Sequence, residues 1–373
     1  MSIQRRTFLI SAAATLAAPA LLRAQASPYV MGTLFPMSGS NAEFGAVYLN
    51  GVQLALEHIA ADKILKREIT LKAVDSQGSA QGGAVGMTRL ANVDQASYVM
   101  IGFTGVSKAA APIGDRAKVV MVNGGGVGPD LATLSPYFWN VIPLANQEVR
   151  AILPFIQSQK FKRVAMIFTE DPSGIAVHQE LDKGLPGVGA QLVGAFGVAP
   201  TLTQFASVAA QVRDLKPDAV FFASVNGSQV VQIIKQLRDN GISQQIMTYS
   251  SGNLPSVSVL PEAEGLVFTG QEADWSAQDP IMKRFADGWR NKYKAEPTTY
   301  GLNYYNGAML FAALAKGLEA AGKDVTGETL LEERRRVKAF PLAGGQVSFA
   351  EDGTASTGVQ LNQVRSGKIQ KIA

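Results

Sequence analysis

The sequence predicts an α/β protein of two doubly wound α/β lobes joined by a three-strand hinge. Predicted strands and amphipathic helices alternate along most of the chain, which is typical of parallel sheets covered by helices on both faces. The alternation pauses near residue 146 and then starts again, so the chain holds two such arrays in series. Once a predicted export signal is removed, roughly 350 residues remain. A chain of that length usually splits into two domains.

Each element is predicted from its own hydrophobic period and end signals. In the first array we expect strands at residues 29–34, 69–74, 98–102 and 119–122, and helices at 42–59, 79–93 and from Ser107. In the second we expect strands at 164–168, 192–198, 219–223 and 246–249, and helices at 148–159, 173–185, 205–215 and 228–239. A third portion adds strands at 266–270, 344–349 and 359–364, and helices at 281–293 and 300–321. About four or five strands are expected in each array.

Three polar or Pro- and Gly-containing stretches are the predicted crossings between the lobes, at residues 143–147, 270–275 and 350–356. They divide the chain into an N-terminal lobe of residues 27–145 plus 275–350 and a C-terminal lobe of residues 146–274 plus 351–373. Three connections restrict two lobes to opening and closing about a hinge.

The N-terminus has the pattern of a secretory signal peptide. Arg5 and Arg6 precede an apolar run, and the small-x-small sequence Ala24-Gln25-Ala26 follows it. The paired arginines resemble a twin-arginine signal, and the apolar run is shorter than the ~20 residues of a membrane-spanning helix. We expect residues 1–26 to be removed after Ala26 and the mature protein to be periplasmic.

Composition excludes several classes of function. The chain has 34 Lys and Arg against 30 Asp and Glu. Arg5, Arg6 and Arg23 leave with the signal, so the mature chain carries 31 minus 30, or +1, which gives no basis for nucleic-acid binding. Cysteine is absent and only two histidines are present, so we expect no disulfide, no metal site and no cofactor.

Several segments, taken in their order and spacing, resemble the branched-chain amino-acid-binding proteins of bacterial ABC transporters. They are Phe35-Pro36-Met37-Ser38-Gly39 with Phe44-Gly45, Gly51-Val52-Gln53-Leu54-Ala55, Val74-Asp75-Ser76-Gln77, Tyr98 to Gly102 with Ser107, Gly126 to Leu131, Tyr137-Phe138-Trp139 with Asn146-Gln147, Asp218 to Phe222, and Tyr300-Gly301 through Leu314. The resemblance implies a type I periplasmic binding protein fold, a ligand cleft between the lobes, and delivery of the ligand to membrane permease subunits.

In open α/β sheets, ligands bind beyond the carboxyl ends of the strands. In the first lobe, Ser107 at a strand end and helix start is expected to hold a carboxylate with the help of the helix dipole; the simple alternative is a helix cap. The loop with Gly126, Val127 and Gly128 is expected either to approach the ligand or to be only a connector. The family resemblance places Phe44 against the ligand, with core packing as the alternative.

In the second lobe, Ser173, Asn226, Tyr249 and Ser250 follow strand ends and are candidate ligand-binding residues, unless they only terminate elements. The chain departs from the family's amino-acid binders in two places. Residues 171–174 lack the family's tyrosine, and Ser250 and Ser251 stand where an acid usually pairs with the ligand ammonium. Glu170, Asp171, Glu272 or Asp274 could replace that acid. We therefore expect a small carboxylate ligand, either an apolar amino acid or an aromatic acid.

Other functions were weighed against this one. The segment Gly105-Val106-Ser107 is one residue short of a hydrolase nucleophile motif, and His58 and His178 are the only imidazoles that could serve as its base. The glycine loop lacks the third glycine of a dinucleotide-binding motif, because Pro129 occupies that position. A sensory receptor with the same fold remains an alternative to a transport protein.

Overall fold

The computed structural model describes residues 27–372 and confirms the α/β class. The first array contains β1 (Tyr29–Phe35), α1 (Ala42–Ala61), β2 (Ile69–Asp75), α2 (Ala80–Asn92), β3 (Tyr98–Ile101), α3 (Thr104–Arg116), β4 (Val120–Asn123) and β5 (Phe138–Asn140). The second contains α4 (Ala145–Ser158), β6 (Arg163–Thr169), α5 (Pro172–Gly184), β7 (Gln191–Val198), α6 (Ala206–Asp214), β8 (Ala219–Ala223), α7 (Gly227–Asp239), β9 (Gln245–Thr248), α8 (Pro255–Ser258) and β10 (Val267–Gln271).

The C-terminal third adds helices and strands to both arrays. It contains α9 (Pro280–Tyr293), α10 (Thr299–Ala320), α11 (Gly327–Val337), β11 (Ala339–Leu342), β12 (Gly345–Ser348), β13 (Val359–Arg365) and β14 (Lys368–Lys371). The predicted export signal, with Arg5, Arg6 and the cleavage sequence at 24–26, lies outside the described residues.

Two sheets form the centres of two lobes. The first is fully parallel with the order β2-β1-β3-β4-β5. The second has the order β14-β13-β10-β9-β8-β6-β7, in which β13 and β14 pair antiparallel. The prediction of four or five strands is right for both arrays, since each contributes five, and β13 and β14 of the C-terminal third extend the second sheet to seven.

The chain passes between the two sheets three times, at residues 141–144, 272–279 and 349–358. Helix α10 packs on the first sheet, where the Tyr98 hydroxyl donates to the Gly307 carbonyl at 2.6 Å. β11 and β12 form a separate hairpin, so the strand predicted at 344–349 belongs to neither main sheet. In residues 27–372 no helix is both long and apolar enough to cross a membrane.

Helix α3 begins three residues earlier than predicted. Its first residue is Thr104, and the preceding residue, Phe103, has φ of +67°. A positive φ is strained for a residue with a large side chain, and such strain is typical of functional loops. Ser107 therefore lies in the first turn of α3, with its N–H bonded to the Phe103 carbonyl, rather than at the helix start.

Candidate functional site

The carboxyl ends of the strands in the two sheets face each other across a closed cleft. The hydroxyls of Thr104, after β3, and Ser173, after β6, are hydrogen-bonded at 2.7 Å. At a second contact the Glu43 carboxylate accepts from the N–H and the hydroxyl of Ser256, at 3.0 and 2.7 Å. The lobes thus meet around the position where ligands bind in open α/β sheets.

The N-terminus of α3 points into this cleft. The first N–H groups of a helix have no intrahelical acceptor, and no side chain of residues 27–372 caps α3. Ser107 is fully buried in the same turn, and its hydroxyl has no hydrogen-bond partner in the described chain. Unpaired N–H groups, a buried hydroxyl and the positive end of the helix dipole together suit a carboxylate.

The glycine loop after β4 uses its amides internally. The N–H groups of residues 125 and 126 donate to the Asn123 side chain at 3.2 and 2.7 Å. Those of residues 127 and 128 both donate to the Thr104 hydroxyl at 3.1 Å. A Cβ on Gly125 would lie 2.6 Å from the Tyr48 hydroxyl oxygen. The loop's small residues thus make room for Tyr48, and its four amides are already satisfied.

Aromatic rings line the cleft on the side of the first lobe. Phe44 is buried, with its ring centroid 5.5 to 6.0 Å from the rings of Tyr48, Phe103 and Tyr300. It therefore packs in the core and also borders the cleft, since a Cβ on Gly227 of α7 in the second lobe would lie 3.7 Å from its ring. Core packing of Phe44 is therefore observed, and its contact with a ligand stays a prediction.

Two buried tyrosine hydroxyls in the cleft, those of Tyr48 and Tyr249, have no partner within residues 27–372. Burial is the main cause that holds the pKa of both phenols well above the ordinary value, and the neighbouring Tyr300 raises each pKa further. Both hydroxyls therefore stay neutral, and each can donate or accept one hydrogen bond.

Two of the predicted residues in the second lobe are occupied by internal contacts. The Asn226 side chain caps α7 by accepting from the Gln229 N–H at 3.2 Å and donates to the Pro200 carbonyl at 3.1 Å. Ser250 donates through its N–H and its hydroxyl to the Glu148 carboxyl, at 2.7 and 2.8 Å. The capping alternative therefore accounts for Asn226, and Ser250 connects the cleft to a buried acid.

That acid, Glu148, lies in the first turn of α4 and is fully buried. Thr269 also donates to it at 2.9 Å, and the Tyr300 hydroxyl donates to Ser250 at 3.2 Å. Burial raises the pKa of Glu148 to about 7, against the opposing effect of the hydrogen bonds from Ser250 and Thr269. Glu148 therefore titrates near neutral pH.

Asp171 lies between β6 and α5 and has one carboxyl oxygen without a partner. Its Oδ1 caps α5 by accepting from the N–H groups of Ser173 and Gly174, at 2.8 and 3.1 Å. Its Oδ2 is shielded from solvent and has no donor in the described residues, and no ion pair there includes Asp171. Burial raises the pKa of this carboxyl.

Neither histidine is placed as a base for Ser107. His58 contacts the Tyr305 hydroxyl at 2.9 Å on the α1–α10 interface, and His178 stacks on Phe168 with ring centroids 4.3 Å apart. Packing explains both side chains, so the hydrolase alternative lacks the base that its mechanism requires.

Comparison with known proteins identifies the family. The model of the family described as periplasmic binding protein matches residues 28–368. The chain belongs to the periplasmic binding protein family. The sequence is 24% identical over 350 residues to the Leu/Ile/Val-binding protein BraC3 of Rhizobium johnstonii, covering 91% of this chain and 92% of that protein. The predicted resemblance to branched-chain amino-acid-binding proteins is confirmed.

Solved structures show the same fold for this periplasmic binding protein. The leucine-binding protein LivK of Thermotoga maritima superposes with a TM-score of 0.84 at 22% identity, covering 92% of this chain and 98% of the other. A solute-binding protein of an R. palustris ABC transporter, solved in complex with benzoate, superposes with a TM-score of 0.83 at 17% identity, covering 93% of this chain and 96% of the other. These neighbours thus include binders of two different ligand classes.

Sequence reasoning missed three residues of the binding protein's cleft, namely Thr104, Tyr48 and Glu43. Tyr48 carried a usable signal, because it follows Phe44 by four residues and so shares its face of α1. Thr104 and Glu43 had none, since their partners Ser173 and Ser256 are 69 and 213 residues away.

Proposed function

We propose that this chain is the extracytoplasmic solute-binding protein of an ABC importer and that it binds a small carboxylate in the cleft between its lobes. The main support is the N-terminus of α3, where uncapped N–H groups and the unpartnered Ser107 hydroxyl are enclosed by the second lobe. The family supports ligand binding rather than catalysis.

The preferred ligand is a branched-chain or other apolar amino acid. The aromatic wall around Phe44 supplies an apolar surface for its side chain, and a curated relative is named as a Leu/Ile/Val-binding protein. An aromatic acid is the second candidate, because the same rings can stack on an aromatic ligand and a structural neighbour was solved with benzoate. Delivery to permease subunits and export with cleavage after Ala26 complete the proposal.

A screen of carboxylates against matched amides tests this function. Leucine, isoleucine, phenylalanine, benzoate and 4-hydroxybenzoate would be compared with leucinamide and benzamide by thermal shift and calorimetry. A ligand at about 100 times its Kd stabilises the protein by about 2.7 kcal/mol, which raises Tm by a few degrees. We expect at least one carboxylate to do so, and its amide to bind much more weakly.

Two serine variants locate the carboxylate. Ser107→Ala is expected to lower the affinity for the carboxylate ligand about tenfold or more, since a hydrogen bond to a charged group contributes about 1.5–3 kcal/mol. Ser158→Ala, the same change at an exposed position at the end of α4, is the matched control. Equal affinities of the acid and its amide, with no effect of Ser107→Ala, would rule out this anion site.

A further inference from the structure

We propose that Asp171 is the residue that pairs with a ligand ammonium group, and that this pairing makes the cleft selective for amino acids over carboxylates that lack an amine. This inference rests on the proposed function, because it adds a second charged contact to the same ligand. Oδ2 of Asp171 is the oxygen that would accept from the ammonium, while Oδ1 continues to cap α5.

Position places Asp171 at the cleft. Two residues after it, Ser173 touches Thr104, the first residue of the helix that carries Ser107. A Cβ on Gly105 in that helix would lie 3.6 Å from Pro172. The Asp171 side chain therefore follows β6 at the point where the second lobe meets the proposed carboxylate site.

The acids that reach across or behind the cleft are already engaged. Both oxygens of Glu43 accept from Ser256. Both oxygens of Glu148 are also used, since Oε1 accepts from the Ser250 hydroxyl and Oε2 from the Ser250 N–H and Thr269. Neither carboxylate can take a ligand ammonium without giving up donors that it already has.

The other acids considered from the sequence lie away from the cleft. Glu170 is exposed and lies against Gly197 of β7. Glu272 pairs with Lys371 at 2.8 Å, and Asp274 is bonded to Ser276 on the surface. Among these six acids, Asp171 alone combines a position at the cleft with a solvent-shielded oxygen that lacks a donor.

Pairing with an ammonium removes an electrostatic cost. A solvent-shielded carboxylate oxygen without a donor is unfavourable, and burial accordingly raises the pKa of Asp171. A ligand cation favours the ionised form, so binding should release a proton from the fraction of Asp171 that is protonated. Affinity for an amino acid should therefore increase as the pH rises through the range in which Asp171 loses its proton. It should be lower at more acidic pH, where Asp171 is protonated.

Few other charged groups face Asp171. From the end of β9, the phenol of Tyr249 is close enough for the Asp171 charge to contribute to its raised pKa, after burial and Tyr300. From α3, Lys108 is exposed and pairs with Asp130 outside the cleft. No cationic side chain of the described residues therefore substitutes for the ligand ammonium.

The test compares the native protein and Asp171→Asn on matched ligand pairs, by calorimetry. The pairs are leucine with 4-methylpentanoate and phenylalanine with 3-phenylpropanoate, which differ only in the amine. Asparagine also caps helices, so the fold should persist. We expect Asp171→Asn to lower the affinity for the amino acid on the order of 100-fold, the usual range for breaking a buried charge pair. The affinity for the matched acid that lacks the amine should be nearly unchanged. Glu170→Gln, at the exposed neighbour, should affect neither.

Proton linkage provides a second measurement that needs no variant. Native protein titrated with the amino acid in two buffers of different ionisation enthalpy should show net proton release below neutral pH, beyond that seen with the matched acid. Equal loss of affinity for both members of a pair in Asp171→Asn, or no difference in proton release, would overturn the role of Asp171. Binding of benzoate but of no amino acid would also overturn it while leaving the proposed function intact; binding of no carboxylate at all would overturn the proposed function.

Discussion

Thr104 shows how much one hydroxyl can support at this site. It accepts from the N–H groups of Val127 and Gly128 and also meets Ser173 of the other lobe. Thr104→Val keeps the shape but leaves two buried N–H groups without an acceptor, so we expect a loss of roughly 2 kcal/mol or more in the free energy of unfolding. Ser173→Ala removes only the contact between the lobes and should cost less.

Urea unfolding of these two variants, with Thr104→Ser as the control that keeps the hydroxyl, measures the difference. Thr104→Ser should lie close to the native protein. If Thr104→Val and Ser173→Ala lose the same stability, then the two hydrogen bonds from the glycine loop to Thr104 contribute nothing measurable to the free energy of unfolding.

At the residue scale, the sequence places candidates at strand ends but cannot assign their partners. Tyr249 was correctly expected at the end of its strand, and its hydroxyl is unpartnered in the described chain. Ser250, one residue later, is bonded to Glu148, which lies 102 residues away. Residues that are adjacent in sequence thus differ in availability because of a contact that only the tertiary fold creates.

At the element scale, Glu148 couples the start of α4 to the strand ends of the second sheet and makes stability depend on pH. Its pKa rises from 4.5 to about 7 on folding. The native state therefore holds a proton that the unfolded chain loses between these values. The protonated Glu148 therefore contributes up to about 3 kcal/mol to the free energy of unfolding. This contribution is fully present below pH 4.5 and is lost as the pH rises to about 7.

Glu148→Gln removes this titration while keeping the side-chain shape. We expect the free energy of unfolding of the native protein to fall more steeply between pH 4.5 and 7 than that of the variant, as measured by urea unfolding across that range. Asp171, whose pKa is also raised, contributes in the same direction in both proteins. Parallel pH profiles would show that Glu148 does not carry the proton.

Elements with a clear local hydrophobic pattern were predictable, including strands of four or five residues, whereas β5 and β14 were not. β8 was predicted at the bounds that the structure has, because five buried residues follow a Lys-Pro-Asp turn. β5 and β14 have three and four residues, and their strand character comes from pairing with neighbours rather than from a local pattern. The start of α3 was misplaced because the strained Phe103 replaces a conventional cap.

At the scale of the whole molecule, the contacts between the lobes define a closed state. Glu43 with Ser256, Thr104 with Ser173, and Tyr300 with Ser250 all join the two lobes. Three chain crossings also connect the two lobes. A ligand that contacts both lobes stabilises this state by its differential affinity for the closed form.

Small-angle scattering of the mature protein, with and without a carboxylate whose binding calorimetry has established, tests the central claim most directly. The account predicts that the radius of gyration falls at saturating ligand, as the lobes close by rigid-body motion. For Ser107→Ala at the same ligand concentration, the decrease in the radius of gyration should be smaller. It should reach the native value when the ligand concentration is raised to saturate the variant. An unchanged radius of gyration for the native protein at proven saturation would contradict closure of the cleft on its ligand.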